Sequence, residues 1–312
     1  MIKHSVILLT YNQENIVKRA LDSIFTQSIL PYEVLIGDDA SFDGTFQIIK
    51  QYEARYPNIV KAYQHSQNMG IFANQNFLME KVSGDIVSFL GGDDCFRPNL
   101  FFELNNLALE NNVDLRSKFV LVTNSVTLDL EGKETVFDNY SHRNKNPFKR
   151  RLRYSLNYRS VGISSTLLTF VGPILEDVGF HADWLWCLKI DFNSEKHIYT
   201  NFISSEYHSG IGVISKISHK ELNTSFNRVL QIVKKEFDNH LNKQDKLYLN
   251  LVYRYEMYKA SRKISDYLNF LYLYIRNINN IDKNNYIRNY KNLIPIPILL
   301  KLISLKSFMK RL

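Results

Sequence analysis

The chain has 312 residues, 45% hydrophobic and 22% charged, which is enough to bury a large core and excludes the composition of a disordered protein. Its formal net charge of +8 suits an anionic partner such as a nucleic acid, an anionic membrane surface or a phosphorylated substrate. Two cysteines exclude a disulfide framework and favour a reducing compartment, and neither a secretory leader nor the ~18 uninterrupted apolar residues of a membrane span is visible.

Strand-like and helix-like segments alternate over the first third of the chain. Short apolar runs predict buried strands, and helical spacing of apolar residues predicts the helices between them. The predicted strands are 5–9, 33–36, 60–63 and 85–90, and the predicted helices are 16–25, 46–52 and 72–82, the first capped by Asn12. This order predicts an α/β fold in which helices flank a mainly parallel sheet with right-handed crossovers.

The rest of the chain is less regular before it becomes helical. We expect one or two strands in 118–130, an exposed loop in 139–151, a turn running into a strand in 162–170 and a helix from Trp184 to Ile190. From about Ser218 the spacing predicts amphipathic helices, in 226–237 and 247–275. We therefore divide the chain into an α/β domain, residues 1–217, and an α-helical C-terminal region, residues 218–312.

Polar clusters follow three of the predicted strands. They are Thr-Tyr-Asn at 10–12, Asp-Asp at 38–39 and Asp-Asp at 93–94, the last after two glycines. Because ligands of parallel sheets bind beyond the carboxyl ends of the strands, we expect these clusters to share one edge. Adjacent carboxylates repel each other, and a hard cation or a ligand hydroxyl makes such an arrangement favourable.

These motifs together resemble family 2 glycosyltransferases, which have the GT-A fold. Residues 5–12 match the family's opening strand and Thr-Tyr-Asn, 38–45 match its Asp-Asp-x-Ser-x-Asp-Gly-Thr, 68–70 match its Asn-x-Gly, and 93–94 match its metal-binding acidic motif. Asp183 falls at the family's catalytic aspartate, and 207–210 with Ser215 resemble its closing segment. The chain departs from the family at Gly91 and Gln75, where many members carry a carboxylate and an arginine.

The resemblance implies a role for each matched residue. It assigns nucleotide binding to Thr10, Tyr11, Asn12, Asp39, Asn68 and Asp93, with Tyr11 stacking on the base and Asp39 hydrogen-bonding to it. It places Mn²⁺ or Mg²⁺ on Asp94 and Asp93, with His208 as a further ligand. It makes Asp183 the general base of an inverting displacement, with Trp184 and Trp186 available to stack on acceptor sugar rings.

Plainer interpretations of the same residues stay open. Tyr11 and one of the two tryptophans suit core packing, His208 suits a surface position, and Asp183 suits the cap of the helix that starts at Trp184. The order of Asp93 and Asp94 as direct metal ligand also stays open.

The implied function is transfer of a sugar from a nucleotide-diphosphate donor, preferably a UDP-sugar, to a hydroxyl of a glycan or lipid-linked acceptor in bacterial surface-polysaccharide synthesis. The alternatives are a non-catalytic nucleotide- or glycan-binding protein and a sugar nucleotidyltransferase, although residues 10–13 are not a glycine-rich phosphate loop. A nucleic-acid partner is not expected, because the positive charge is dispersed or lies in the tail.

Basic and apolar residues alternate in the C-terminal tail. Lys301, Lys306, Lys310 and Arg311 interleave with leucines and isoleucines, which suits either an anionic membrane surface or a helix docked on the protein. We expect a cytoplasmic protein, with peripheral attachment to the inner face of the plasma membrane if the tail binds lipid.

Overall fold

The computed structural model describes residues 2–153, 161–209 and 219–261, together with 265, 268–270, 272 and 273. The described chain forms two compact units. The first holds the sheet and most of the helices packed on it, and the second holds one short helix, residues 178–181 and the helices from residue 219 onward.

One sheet contains all the strands of the described residues. In chain order they are β1 (His4–Thr10), β2 (Glu33–Asp38), β3 (Val60–Gln64), β4 (Ile86–Gly91), β5 (Cys95–Phe96), β6 (Phe119–Leu128), β7 (Glu134–Phe137), β8 (Val161–Ser164) and β9 (Lys196–His208). Their order across the sheet is β3-β2-β1-β4-β8-β6-β9-β5, with β7 paired to β6.

The predicted parallel sheet is confirmed for the first part of the chain. Strands β3, β2, β1 and β4 are parallel, and the near-continuous apolar sequences of β1 and β2 match strands buried on both faces. Strand β8 is antiparallel to both of its neighbours, so β6 points in the same direction as β4, and β9 is parallel to β6. The carboxyl ends of β1, β2, β4, β6 and β9 therefore face the same edge of the sheet.

Helices connect the strands and cover the sheet. They are α1 (Val17–Phe25), α2 (Thr45–Arg55), α3 (Ile71–Met79), α4 (Leu100–Glu110), α5 (Pro147–Arg153), α6 (Ser165–Val171), α7 (Ala182–Asn193), α8 (His219–Phe237) and α9 (Lys243–Ser261). Helix α1 shows why the spacing was informative: its buried residues Val17, Ala20, Leu21 and Ile24 line one face. They join a core built from the strand interiors and α4.

The second unit is stabilised by its own contacts. The rings of Phe148 on α5 and Phe237 on α8 lie 5.2 Å apart. Helix α9 begins with a capping box, in which Asp245 N–H donates to Asn242 Oδ1 and Asn242 N–H donates to Asp245 Oδ2. The predicted helix over 226–237 is confirmed within α8, and only part of the predicted 247–275 helix lies among the described residues.

Three local predictions are wrong in whole or in part. Within 139–151 only 143–146 form an exposed loop, because Asn139 is buried against β6 and α5 buries Phe148. Residues 165–171 form α6 rather than a strand, because the Ser164 hydroxyl accepts from Leu167 N–H and caps a helix there. Asn12 does not cap α1, whose side-chain cap is missing. Gly210, Ser215 and the tail 293–311 lie outside the described residues.

Candidate functional site

The ends of three parallel strands stand level at one edge of the sheet. Thr10 of β1 pairs with Asp38 of β2, and Leu9 pairs with Gly91 of β4. The main chain continues this alignment past the strands, since Asp39 N–H donates to Thr10 O and Gly92 N–H donates to Leu9 O, both at 2.9 Å. All three polar clusters of the sequence therefore meet at this edge, as predicted.

The loop after β1 is tied to the loop after β2. Asn12 N–H donates to Ser41 Oγ (2.8 Å), and Asn12 Oδ1 accepts from Phe42 N–H (3.0 Å). Gln13 N–H donates to Thr45 Oγ1 at 2.6 Å. Asn12 thus ties the loops after β1 and β2 together instead of capping α1.

Two buried aspartates organise the same edge. Asp38 accepts from the Thr10 hydroxyl and from the main chain and side chain of Ser41. Asp39 accepts from Met69 N–H (2.7 Å) and Gly70 N–H (2.9 Å), one bond on each carboxylate oxygen. Asp39 therefore fixes the turn that contains Asn68, whose Nδ2 donates to Asp39 O at 3.4 Å.

Like Phe42 in the loop after β2, which is 85% exposed, Tyr11 is an aromatic residue that this framework presents to solvent. Its side chain is 42% exposed, whereas Thr10 beside it is buried with its hydroxyl donating to Gly37 O and Asp38 Oδ1. Tyr11 is therefore not a core residue, and the packing alternative for it is wrong.

The segment Gly91–Asp94, which we call the acidic loop, is closed by β9. Strand β5 directly follows this loop and pairs with β9 at Glu206 and Ser205. This pairing brings His208 to the loop, where the main-chain N–H of His208 donates to Asp94 Oδ1 at 3.1 Å. The predicted closing segment thus reaches the predicted acidic motif across 114 residues of sequence.

Charged groups surround the acidic loop. Arg19 of α1 donates from Nη2 to Asp93 O at 2.8 Å, and Glu206 Oε2 lies 3.7 Å from His208 Nε2. Burial and then the positive charge of Arg19 lower the pKa of His208, against the opposing influence of Glu206 and Asp93. Burial raises the pKa of the neighbouring Cys95 thiol to about 11. At neutral pH His208 is therefore a neutral imidazole and Cys95 an unreactive thiol.

The acidic loop suits a cation that takes only part of its ligands from the protein. Among the described residues no three His, Cys, Asp or Glu side chains are arranged as a metal centre. His208 Nε2 is nonetheless buried without a hydrogen-bond partner beside a loop of two carboxylates. Mg²⁺ and Mn²⁺ accept such oxygen and imidazole ligands, and phosphate oxygens and water commonly complete the set.

Asp183 opens α7, and the topology places it at the same edge. Helix α7 ends just before β9, and Glu195 N–H donates to Lys118 O at the start of β6, so the helix ends at the amino-end edge of the sheet. Its first turn therefore points to the carboxyl-end edge. A ring contact supports this direction, since Trp186 packs edge-on at 5.6 Å against Phe89, two residues before Gly91.

The side chain of Asp183 is exposed, and its Oδ1 accepts from Trp184 N–H at 2.6 Å. The helix begins at Ala182 rather than at Trp184, so Asp183 lies in the first turn and is not the residue before the helix. Asp183 is the one side chain predicted to be catalytic. It lies about one helical turn before Trp186, on the side of the carboxyl-end edge of the sheet.

The two tryptophans are part of the protein interior. Trp184 is 7% exposed and Trp186 is 5% exposed, and the Trp186 indole N–H donates to Gly172 O at 3.0 Å. A buried ring has no open face for a sugar, so the expectation that Trp184 and Trp186 stack on the acceptor is not supported by their placement.

Several residues at this edge could not be predicted from the sequence. Arg19 lies on the exposed face of α1, and Glu206 lies on a strand that was not predicted as such. Gln13 contributes a buried Oε1 without a hydrogen-bond partner, pressed against the backbone of Gly92. Only the pairing of distant segments brings these side chains to the acidic loop.

The level strand ends, the acidic loop and the mixed sheet define a GT-A fold, and structural comparison agrees. TarS residues 1–349 of S. aureus in complex with UDP-GlcNAc superposes with a TM-score of 0.62 at 18% identity, over 88% of this chain and 80% of that one. Mannosyltransferase PcManGT of Pyrobaculum calidifontis with GDP-Man and Mn²⁺ gives a TM-score of 0.56 at 16% identity, over 97% and 85%.

Sequence comparison identifies the family. The model of glycosyl transferase family 2 matches residues 5–171, more than half of the chain, so the chain belongs to that family. The curated relatives that are 37–38% identical match over 91–96 residues, and this chain spans only 26–34% of their length. WfgD of Escherichia coli, a UDP-Glc:alpha-D-GlcNAc-diphosphoundecaprenol beta-1,3-glucosyltransferase, is 23% identical over 224 residues, 70% of this chain and 81% of the relative.

No helix within the described parts of the chain combines the length and the apolar character needed to cross a membrane. Both cysteines, Cys95 and Cys187, are buried thiols.

Proposed function

We propose that this protein is an inverting glycosyltransferase that moves a sugar from a nucleotide-diphosphate donor, preferably a UDP-sugar, to a hydroxyl of a glycan or lipid-linked acceptor. The observation that carries the proposal is the meeting of Tyr11, Asp39 and the acidic loop at one sheet edge, with the first turn of α7 pointing to the same edge. A donor at that edge is within reach of groups that bind the base, the diphosphate and the acceptor.

The nucleotide end is held by the loops after β1 and β2. Tyr11 offers an exposed aromatic face on which a base can stack. Each oxygen of Asp39 already accepts one backbone N–H, and each retains a second lone pair for a base N–H. Thr10, Asn12 and Asn68 act through the main-chain framework that they hold in place.

The diphosphate lies against the acidic loop in this proposal. Asp94 and Asp93 hold a divalent cation, Mn²⁺ or Mg²⁺, with His208 Nε2 as a further ligand. When bound, the cation neutralises the charge that develops on the departing nucleoside diphosphate. The chain's own contribution is to fix Asp94, whose Oδ1 is oriented by the His208 N–H.

Asp183 is the general base. Its carboxylate takes the proton from the acceptor hydroxyl as that oxygen attacks the anomeric carbon opposite the leaving diphosphate, and the single displacement inverts the configuration. The bond from Trp184 N–H sets the orientation of the carboxyl group in the first turn of α7.

The donor and acceptor classes are supported by the comparisons. A UDP-sugar is favoured because WfgD is named for UDP-Glc and a TarS structure contains UDP-GlcNAc. WfgD is also named for a diphosphoundecaprenol-linked acceptor, which favours a lipid-linked acceptor in surface-polysaccharide synthesis and a cytoplasmic protein at the inner face of the plasma membrane. We assign the reaction to residues 1–217 and treat 218–312 as an appended helical region.

Release of nucleoside diphosphate tests the proposal. The full chain is incubated with UDP-Glc, UDP-GlcNAc or GDP-Man, with Mn²⁺ or with EDTA, and with or without a GlcNAc-diphospholipid acceptor. We expect Mn²⁺-dependent release of UDP that the acceptor increases, and a product of inverted anomeric configuration by NMR. Tight UDP binding with no release under any of these conditions would favour the non-catalytic alternative.

A further inference from the structure

Besides the bond from the main-chain N–H of His208 to Asp94 Oδ1, three hydrogen bonds anchor the acidic loop through its own main-chain groups. Gly92 N–H donates to Leu9 O at 2.9 Å, and Asp94 N–H donates to Gly91 O at 3.1 Å. The third is the Asp93 carbonyl, which accepts from Arg19 Nη2 at 2.8 Å. The third anchor differs from the others because it is a charged side chain from a helix 74 residues away.

Arg19 lies in the first turn of α1, directly after the loop that carries Gln13. Gln13 packs on Gly92 so closely that a Cβ there would meet Gln13 Oε1 at 2.2 Å. The loop before α1 and the first turn of α1 therefore contact the acidic loop at two successive residues, through the Gln13 side chain at Gly92 and through the Arg19 guanidinium at Asp93. This pair of contacts fixes the loop against β1 and α1.

The guanidinium also lies among the charges of the site. Its positive charge contributes to the lowered pKa of His208, after burial, and opposes the raised pKa of Cys95, so it lies close to both side chains. The same two side chains are also influenced by carboxylates, Cys95 by those of Glu206 and Asp94 and His208 by those of Glu206 and Asp93. The positive charge of Arg19 therefore acts on the same side chains as the carboxylates of the acidic loop.

We propose that Arg19 is a positioning residue, which fixes the acidic loop so that Asp94 is presented to the cation and the donor diphosphate. This inference rests on the proposed function. Two effects of the guanidinium oppose each other: its charge repels a divalent cation, and its hydrogen bond holds the loop in the geometry that binds one. We infer that the second effect dominates.

Because the two effects oppose each other, the direction in which Mn²⁺ affinity changes shows which of them dominates. Removing Arg19 strengthens Mn²⁺ binding if the residue acts only through its charge, and weakens it if the residue positions the loop. The matched control is Lys18, the preceding residue, whose Nζ pairs with Asp22 at 2.6 Å and whose side chain is 68% exposed. Lys18→Met removes the same charge from the same helix without touching the loop.

The experiment measures UDP binding to the 312-residue protein by calorimetry across a Mn²⁺ titration, for wild type, Arg19→Met, Arg19→Lys and Lys18→Met. We expect Arg19→Met to raise the Mn²⁺ concentration needed for half-maximal UDP binding about tenfold, the usual order for loss of a charged hydrogen bond. Lys18→Met should stay within about twofold of wild type, and Arg19→Lys should recover part of the loss because its ammonium can still donate to Asp93 O.

Hydrogen exchange of the metal-free protein gives the second readout. Peptides containing residues 91–95 should exchange faster in Arg19→Met than in Lys18→Met, while peptides from β1 and β2 should not change. Unchanged or tighter Mn²⁺ binding in Arg19→Met, or unchanged exchange in the acidic loop, would overturn the proposal. A wild-type protein that binds UDP with Mn²⁺ but transfers no sugar would instead contradict the proposed function. In that case the binding and exchange measurements on Arg19→Met would still decide whether Arg19 positions the loop.

Discussion

Strand β2 begins and ends on a buried carboxylate, and the two carboxylates have different kinds of partner. Glu33 at its amino end is 1% exposed and accepts from the Ser5 hydroxyl, Lys61 Nζ and both N–H and hydroxyl of Ser83. Asp38 at its carboxyl end is fully buried and accepts from loop residues that border the site. The two ends lie about 17 Å apart at the usual rise of a strand.

At the amino end of β2 the Glu33 carboxylate accepts hydrogen bonds from residues of the neighbouring strands. Ser5 is on β1 and Lys61 on β3, so Glu33 links the strands on either side of its own. At the carboxyl end the aspartates fix loops instead, and the carboxylates of the acidic loop stand beside one another. The comparison teaches that similar buried acids tie strands together at one edge of this sheet and hold the loops of the candidate site in place at the other.

The largest effect that this comparison predicts is for Asp94→Asn. The amide keeps the acceptor for His208 N–H but removes the negative charge offered to the cation, so we expect turnover with Mn²⁺ to fall by about 10³-fold. Mn²⁺-dependent UDP release measures this. The melting temperature should stay close to wild type, and a fully active Asp94→Asn protein would contradict the placement of the cation.

Asp183→Asn should give the next largest loss. The amide oxygen can still accept from Trp184 N–H, so the start of α7 is kept while the base is removed. We expect kcat to fall by about 10²–10³-fold with little change in the donor KM, the range typical of a lost general base. Steady-state kinetics with a saturating acceptor separates the two constants, and a wild-type kcat would exclude Asp183 as the base.

Asp39→Asn sharpens the comparison because this residue holds the 69–70 turn and is also the proposed partner of the nucleotide base. One carboxylate oxygen becomes an NH₂ group, which faces either Met69 N–H or Gly70 N–H and loses that bond. We expect the donor KM to rise and the free energy of unfolding to fall by about 1–3 kcal/mol. Urea unfolding and donor titration measure the two effects, and Asp94→Asn, at the same edge of the sheet, should change activity alone.

The part of the site formed by the loops after β1, β2 and β4 could largely be predicted, because local sequence determines where those strands end. The apolar runs before Thr10, Asp38 and Gly91 predict strands, and parallel strands with short loops must bring their ends to one edge. The framework bonds could not be predicted. That Asp39 holds the 69–70 turn, rather than only facing a ligand, depends on the exact approach of two loops.

The part of the site that β9, α7 and Arg19 contribute could not be predicted, because it depends on contacts between distant segments of the chain. The pairing of β5 with β9 brings His208 to Asp94, and no spacing in the sequence indicates it. The burial of Trp186 against Phe89 likewise follows from the packing of α7 on β4, so residue type alone suggested a sugar platform that the fold does not provide. Arg19 was missed because an exposed arginine on a helix face has no distinguishing pattern.

The smallest predicted effect concerns Glu33 and acid. Burial alone would raise the pKa of Glu33, but hydrogen bonds from Ser5, Lys61 and Ser83 outweigh burial and hold the pKa below its usual value. A carboxyl whose pKa is lower in the folded state stabilises the fold above the unfolded-state pKa, about 4.3, and that stabilisation is lost as the pH falls through the folded-state pKa.

Glu33→Gln should therefore lower the free energy of unfolding at neutral pH and flatten its decline below about pH 4.3, while donor KM and kcat at neutral pH stay unchanged. Urea unfolding from pH 7 to 3.5 measures both effects, with Glu110→Gln, an exposed glutamate at the end of α4, as the control. Retained activity in Glu33→Gln beside lost activity in Asp94→Asn would separate the two edges by function. A changed donor KM in Glu33→Gln would show that the amino end of β2 is coupled to the site, and the distinction drawn between its two carboxylates would fail.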